Sequence, residues 1–127
     1  MMAAPVAVIV GASRDSSKYG NMSFRAHRDA GYRVIGVNPA GGEIGGLPLV
    51  RSLAEVTERP VQRVSLYVSP ILGLGLLEQI ARLQPAQVWL NPGAESPALV
   101  SRARELRLPI VEGCSIVDVK LRPVKAG

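Results

Sequence analysis

The chain has 127 residues, which is the length of one domain and excludes a two-domain dehydrogenase or kinase, so residues 1–127 are expected to form a single domain. Hydrophobic residues make up 47% of the chain and charged residues 20%, which excludes a protein that is disordered throughout. The formal net charge is +5, and the basic residues are spread along the chain, which favours a small anionic ligand over nucleic acid.

The first elements are a buried strand and a helix. Val6–Val10 is a continuous apolar run that stops at Gly11, as expected for a strand buried on both faces of a parallel sheet. Small and apolar residues then recur at helical spacing from Gly20 to Ala30, and Gly31 stands where a helix C-cap glycine is expected. These patterns predict a strand followed by a helix.

Two further strands each end at a turn residue followed by proline. Tyr32–Val37 is followed by Asn38-Pro39, and Val64–Val68 is followed by Ser69-Pro70. Because Ser is a good N-cap and Pro a good first helical residue, a helix is predicted from Ser69 to about Leu83. The glycine-rich segment from Asn38 to Val61 is interpreted as a long loop over the ligand crevice, with at most one helical turn near Ser52–Val56.

The C-terminal half repeats the strand–helix pattern. Gln87–Leu90 predicts a fourth strand, Pro97–Leu106 a helix and Pro109–Val111 a short fifth strand. Strands that alternate with helices at these lengths form right-handed βαβ units. The predicted fold is therefore α/β and Rossmann-like, with a single doubly wound parallel sheet of about five strands in the order 3-2-1-4-5.

The loop after the first strand has the composition of a phosphate site. It runs from Gly11 to Gly20 and leads directly into a helix, whose free N–H groups and dipole favour an anion. Ser13 offers a hydroxyl, and Arg14 and Lys18 add positive charge. A polar loop with solvated charges is the alternative interpretation of the same residues.

Two familiar phosphate motifs are absent from this loop. It lacks the Gly-x-Gly-x-x-Gly spacing of the dinucleotide fingerprint and the Gly-Lys-Ser/Thr ending of a P-loop. An NAD-binding unit also needs an acidic residue after the second strand to accept from the ribose hydroxyls, and Asn38 stands there instead. A carboxylate at this position would repel a phosphorylated ribose. The absence of one here therefore points to NADP or coenzyme A.

A set of short motifs occurs in a recognisable order along the chain. They are Gly11–Asp15, Lys18–Gly20, Gly31–Ile35, Val37–Pro39, Gly46, Trp89–Ala94 and Cys114. In this order they resemble the small stand-alone CoA-binding proteins, which are similar to the CoA-binding Rossmann domain of the succinyl-CoA synthetase α-subunit. The resemblance covers nearly the whole chain and implies coenzyme A as the ligand.

The resemblance also implies which residues bind CoA. The first loop takes the phosphates, the turns after the second and third strands flank the adenosine-phosphate and pantetheine portions, and the Asn-Pro-Gly-Ala turn lines the crevice. The implied CoA-binding residues are Gly11, Ala12, Ser13, Arg14, Lys18, Tyr19, Asn38, Pro39, Val68, Ser69, Pro70, Asn91, Pro92 and Gly93.

The candidate catalytic groups have structural explanations. His27 lies within the first predicted helix and is interpreted as a surface or packing residue, Cys114 as an inert, partly buried thiol, and Trp89 as core. Tyr19 and Tyr67 lack the partnered lysine of short-chain reductases. Asp15, Glu95 and Asp118 lie on different loops without a paired spacing, so neither a metal nor a general acid/base role is expected.

We therefore expect a protein that binds CoA or an acyl-CoA without catalysis. A small NADP- or nucleotide-binding enzyme or regulatory protein is the alternative, and a pure interaction protein with a vestigial crevice is the third possibility. One cysteine cannot close a disulfide within the chain, and no run approaches the roughly 20 apolar residues of a membrane helix. A cytoplasmic protein that does not bind membranes is expected, while any protein partner stays unknown.

Overall fold

The structure, a computed structural model, describes residues 3–124 and contains a five-stranded sheet and a separate two-stranded hairpin. In chain order, the elements are β1 (Val6–Val10), α1 (Tyr19–Asp29), β2 (Arg33–Val37), β3 (Glu43–Ile44), β4 (Leu47–Pro48), a 3₁₀ helix (Leu53–Glu55), β5 (Val61–Leu66), α2 (Pro70–Arg82), β6 (Gln87–Leu90), α3 (Pro97–Glu105), β7 (Ile110–Glu112) and α4 (Ser115–Leu121). None of the helices in this described part of the chain has the length and hydrophobicity of a membrane span.

The main sheet is parallel throughout, with the strand order β2-β1-β5-β6-β7. This confirms the predicted α/β fold with a single doubly wound parallel sheet of five strands. The observed order differs from the predicted 3-2-1-4-5 in the place of the third strand, because β5 pairs with β1 instead of lying outside β2. The outer edge of β2 is instead covered by Val50, whose N–H donates to the carbonyl of Gly36 at 2.9 Å.

The helices cover both faces of the sheet and divide the core into two clusters. Leu77 and Ile80 of α2 and Leu99 of α3 pack with Val8 and Val64 on one face. On the other face, Phe24 of α1 packs with Ile9, Val34 and Ile44. The chain therefore leaves β1 toward one face and leaves β5 toward the opposite face. The gap between the carboxyl ends of β1 and β5 is the topological switch point, where ligands bind in open α/β sheets.

The segment from Asn38 to Val61 is more ordered than the predicted loop. It contains the β3–β4 hairpin, and Ile44 and Leu49 are buried against Phe24 beside α1. Leu53 and Val56 pack in the core on the other face of the sheet, so the segment is largely built into the fold and only part of it borders the crevice. The predicted helical turn is present as the 3₁₀ helix Leu53–Glu55, which Ser52 and Glu55 cap reciprocally. Strands of two residues are too short for periodicity to reveal them.

Helix α4 was not predicted, and a long-range ion pair attaches it to the sheet. Arg63 of β5 is 5% exposed, and its Nη2 donates to Oδ2 of Asp118 at 3.0 Å. The Arg63 guanidinium also lies 5.2 Å from the ring centroids of both Tyr32 and Trp89. These contacts fix α4 beside α1, with its first residue at the carboxyl end of the sheet.

Candidate functional site

The chain turns sharply at Gly11, immediately after β1. Gly11 has a φ of +90°, and a Cβ there would lie 2.8 Å from the carbonyl oxygen of Tyr67. The N–H groups of Gly11 and Ala12 donate to the carbonyl of Val37 at 3.1 and 3.2 Å. Glycine is therefore needed for both the backbone conformation and the close approach of the β5 end.

Helix α1 begins directly beside this turn with an uncapped N-terminus. A Cβ at Gly20 would overlap the carbonyl oxygen of Gly11, so only glycine permits this approach. Lys18 is the N-cap, and no side chain among residues 3–124 caps the helix. The first N–H to reach a helical carbonyl is that of Met22, which donates to Lys18 at 3.0 Å. The preceding N–H groups and the helix dipole form an anion site.

The loop between Gly11 and α1 is held in shape by its own hydrogen bonds. The N–H and Oγ of Ser17 donate to Oδ1 of Asp15 at 2.9 and 2.7 Å, and these bonds hold the pKa of Asp15 below its usual value. Nδ2 of Asn21 donates to the carbonyl of Ser13 at 2.8 Å, and Arg25 donates to Oδ1 of Asn21 at 2.7 Å. The anion site is therefore preorganised.

A central cavity of about 480 Å³ opens at this point, over the carboxyl ends of β1, β5 and β6. It lies at the switch point, and its walls combine backbone, hydroxyl and amide groups with one cation, Lys18. The lining residues are Gly11, Ser13, Lys18, Tyr19, Gly20, Leu66, Tyr67, Val68, Ser69, Asn91, Pro92, Gly93 and Ala94.

A second cavity of about 280 Å³ adjoins the central one and shares Gly11 and Val68 with it. Its walls are mainly apolar and include Pro39 after β2 and Leu72 of α2. Arg51 stands in its lining, where Nη1 donates to the carbonyl of Pro39 at 3.3 Å. The two cavities together form an elongated crevice with a cation near one end.

A buried polar network forms the floor of the crevice. Nδ2 of Asn91 donates to Oγ of Ser65 at 2.8 Å and to the carbonyl of Leu66 at 2.9 Å, while its Oδ1 accepts from the N–H of Ser115 at 2.9 Å. Oγ of Ser115 lies 2.6 Å from Oγ of Ser65 and 2.8 Å from the hydroxyl of Tyr67. Asn91 is 3% exposed, so its side chain fixes β5, β6 and α4 relative to one another.

The structure brings most of the predicted binding residues to the crevice. Gly11, Ser13, Lys18, Tyr19, Val68, Ser69, Asn91, Pro92 and Gly93 line the central cavity, and Pro39 lines the second cavity. Ala12, Arg14, Asn38 and Pro70 line neither.

Those four residues have other positions. Ala12 is fully buried, and its carbonyl accepts from Nδ2 of Asn38 at 2.8 Å while Oδ1 of Asn38 accepts from the N–H of Ala40 at 2.9 Å. The stem of Arg14 packs against Gly42, and Pro70 is the first residue of α2. Asn38 therefore holds the first loop through the Nδ2 end of its amide, while its Oδ1 closes its own turn after β2.

Arg51 is the main lining residue that the sequence analysis missed. The residues directly after Pro39 include glycines and Glu43 but no cation. The β3–β4 hairpin instead returns the chain, and the Arg51 guanidinium packs over Gly41, where a Cβ would lie 3.1 Å from Nη2. Gly20 and Tyr67 were also missed, although Gly20 ends the loop that was identified.

The candidate catalytic groups lie in structural settings. His27 is completely buried in α1, its Nδ1 lies 2.8 Å from the carbonyl of Ser23, and its ring contacts Tyr32 edge-on. Burial lowers the pKa of His27 to about 4. Asp118 pairs with Arg63 and Arg122. Trp89 is 8% exposed and belongs to the core as predicted. Cys114 is half-buried, also as predicted, and lies near the crevice.

The chain matches a known protein family over nearly its whole length. The sequence pattern of the CoA binding domain matches residues 6–120. Among curated proteins, none has a sequence similar enough to match this chain.

Solved structures share the fold over nearly the whole chain. A Thermus thermophilus protein is 31% identical with a TM-score of 0.84, and the match covers 93% of this chain and 90% of that one. A hypothetical protein from Pyrococcus horikoshii OT3 is 26% identical with a TM-score of 0.81, covering 91% and 81%. The dinucleotide-forming acetyl-coenzyme A synthetase 1 of Ca. Korarchaeum cryptofilum shares the fold at 23% identity and a TM-score of 0.70, covering 84% of this chain and 25% of that one.

Proposed function

The chain belongs to the CoA binding domain family, and on this premise we propose that it binds coenzyme A, free or as a thioester, along the carboxyl edge of its sheet. One observation carries the proposal: the uncapped N-terminus of α1 meets Gly11 at the switch point, between two cavities that join there. An anion-binding centre with a cavity on each side fits a ligand whose diphosphate links a nucleoside to a long chain.

The diphosphate is assigned to the N-terminus of α1. The free N–H groups of the first turn and the dipole of an 11-residue helix attract an anion. Lys18 lines the same cavity, and none of the salt bridges among residues 3–124 includes it. Its charge is therefore available to a phosphate.

The adenosine is assigned to the second cavity. Pro39 and Val68 offer apolar walls for a flat base, and Arg51 offers a guanidinium for the 3′-phosphate of the ribose. Arg51 takes part in none of the salt bridges of the described residues. The pantetheine arm then crosses the central cavity past Ser69 and Asn91, over hydroxyl and backbone groups that suit its amides.

We propose further that binding occurs without turnover. A phosphoryl relay needs an accessible nucleophile, and the only histidine, His27, is completely buried. Thioester chemistry needs a base beside a nucleophile, and Cys114 shares its cavity with Tyr19, Tyr67 and Asn91 but with no His, Lys, Asp or Glu among the described residues. These placements support a carrier, sensor or regulatory role for the bound CoA.

Thermal-shift measurements with CoA, acetyl-CoA, NAD and NADP test the proposal. A ligand at 100 times its dissociation constant adds about 2.7 kcal/mol of stability, so a true ligand raises Tm clearly. We expect CoA and acetyl-CoA to raise Tm and both dinucleotides to leave it unchanged. A rise in Tm with NADP alone would favour the alternative of an NADP-binding protein. No rise with any of the four ligands would contradict CoA binding in the crevice.

A further inference from the structure

A third cavity of about 220 Å³ continues the crevice beyond the proposed pantetheine arm. It shares Tyr19, Tyr67, Asn91 and Pro92 with the central cavity, so the two form one continuous surface. Its remaining walls, Cys114 and Ile116, come from the start of α4. The adenosine cavity does not share any of these six residues, so the third cavity lies at the opposite end of the crevice.

The lining of this third cavity is uncharged and largely apolar. Among the described residues that line it, none is a Lys, Arg, His, Asp or Glu. The polar atoms of its floor are already engaged, because the Tyr67 hydroxyl bonds to Ser115 and both ends of the Asn91 amide are bonded. Tyr19 is 71% exposed, so its ring has apolar surface to bury.

On the basis of the proposed CoA binding, we infer that this cavity binds the acyl group of a short, neutral acyl-CoA. With the adenosine at Pro39 and Arg51, the thioester end of the ligand reaches the cavity between Tyr19 and Ile116. At roughly 30 Å³ for each water-sized group, the cavity of about 220 Å³ holds about seven such groups. Once the thioester sulfur and carbonyl are counted, room remains for a chain of about four further carbons and not for a fatty acyl chain. A carboxylated acyl group would lose water there without gaining a cation.

Calorimetric titration with acetyl-CoA and butyryl-CoA tests the inference. The two ligands differ by two methylenes, and burial of each is worth about fourfold in affinity. We expect the wild type to bind butyryl-CoA up to about 15-fold more tightly than acetyl-CoA. Succinyl-CoA has the same number of acyl carbons as butyryl-CoA, with a carboxylate in place of the terminal methyl, and is expected to bind no more tightly than acetyl-CoA.

Two substitutions in α4 make a matched pair. Ile116→Trp fills the cavity, so the preference for butyryl-CoA should fall close to one while the affinity for free CoA is kept. Val117→Trp adds the same side chain at the next position, which is 55% exposed and outside the cavity, and should keep the wild-type preference. Ile116→Ala enlarges the cavity and should raise the affinity for hexanoyl-CoA relative to butyryl-CoA several-fold.

The outcomes separate this inference from the proposed function. Binding of CoA together with a butyryl-to-acetyl preference near one in the wild type would overturn the acyl cavity and leave CoA binding standing. A preference that survives in folded Ile116→Trp would also overturn it. If Ile116→Trp does not fold, an unchanged chain-length preference in Ile116→Ala has the same meaning. Failure of the wild type to bind CoA at all would overturn both.

Discussion

Gly20, in the first turn of α1, lies against the backbone carbonyl of Gly11, so closely that a Cβ on Gly20 would overlap the carbonyl oxygen. This contact places the uncapped N-terminus of α1 at the end of β1. Because the adjoining loop is fixed by the bonds of Asp15 and Asn21, the helix cannot move away without breaking them. The anion site therefore depends on two glycines that are nine residues apart.

Gly20→Ala is expected to lower the free energy of unfolding by about 1–3 kcal/mol, as for an overpacked core position. It should also lower the affinity for CoA at least tenfold, since the helix N-terminus must shift away from Gly11. The matched control is Gly75→Ala in α2, where nothing lies within 4 Å of the added Cβ, and a gain of about 0.5–1 kcal/mol is expected. Urea denaturation measures the free energy of unfolding of each variant, and calorimetric titration measures its affinity for CoA. Equal stability of the two variants would contradict the contact.

Arg51→Gln is expected to weaken binding of CoA about 10- to 100-fold, the value of a hydrogen bond to a charged group. Binding of 3′-dephospho-CoA should not change, because it lacks the phosphate assigned to Arg51. The wild type should accordingly prefer CoA over 3′-dephospho-CoA by a similar factor. Calorimetric titration of both ligands gives the four dissociation constants.

A control for this variant is Arg33→Gln, which removes one exposed arginine at the opposite end of β2. It should leave both affinities unchanged. If Arg51→Gln weakened CoA and 3′-dephospho-CoA equally, Arg51 would be shaping the cavity through Pro39 and not reading the phosphate.

Lys18→Ala is expected to weaken CoA binding several-fold at low ionic strength, and the difference from the wild type should shrink as salt rises, because exposed charges are screened. Arg14→Ala should act in the same direction. The control is Lys120→Ala, which should leave the affinity for CoA unchanged. Lys120 is an exposed residue of α4 that lines none of the three cavities of the crevice. Unchanged affinity in both Lys18→Ala and Arg14→Ala at low salt would remove the phosphate assignment from this loop.

The lowered pKa of His27 predicts a loss of stability in mild acid. Burial lowers its pKa from 6.5 to about 4, with a smaller lowering by the nearby Arg63, while the Ser23 carbonyl and Asp118 act in the opposite direction. Below pH 6.5 the unfolded chain takes up a proton that the folded chain refuses, so stability is kept above pH 6.5 and lost as the pH falls toward 4. Between pH 7 and 5 the loss should reach about 2 kcal/mol.

Urea denaturation of the wild type and of His27→Gln at the two pH values measures this loss. The variant should be less stable at pH 7 but should show a much smaller drop between pH 7 and 5. An equal drop in both proteins would assign the acid sensitivity to carboxylates, such as that of Glu58, whose pKa is lowered by its hydrogen bonds and by Arg33.

The sequence could predict those parts of the fold that local pattern determines. β1 and β6 were predicted with their observed bounds, Val6–Val10 and Gln87–Leu90. The position of β5 could not be predicted, because strand periodicity does not specify a neighbour and the edge of β2 is closed by Val50. Helix α4 has seven residues, and its attachment depends on Asp118 meeting Arg63, 55 residues earlier.

The residues of the site also divide into those that local sequence pattern reveals and those that only long-range contacts bring to the crevice. The residues of the first loop could be identified because a glycine-rich turn before a helix is a local pattern, and they lie together at the switch point. Asn38 was assigned to the ligand, but its amide is engaged by Ala12 and Ala40. Arg51 reaches the crevice only because a hairpin returns the chain, and no local signal indicates that return.

A two-dimensional ¹⁵N–¹H NMR titration of the protein with CoA tests binding at the switch point most directly. CoA bound there should give the largest amide shifts at the first turn of α1 and at the ends of β1 and β5, with Gly20 and Val68 among them. Amides at the opposite edge of the sheet, such as that of Gly31, should not change. Shifts confined to that edge, or no shifts with CoA at millimolar concentration, would contradict CoA binding at the switch point.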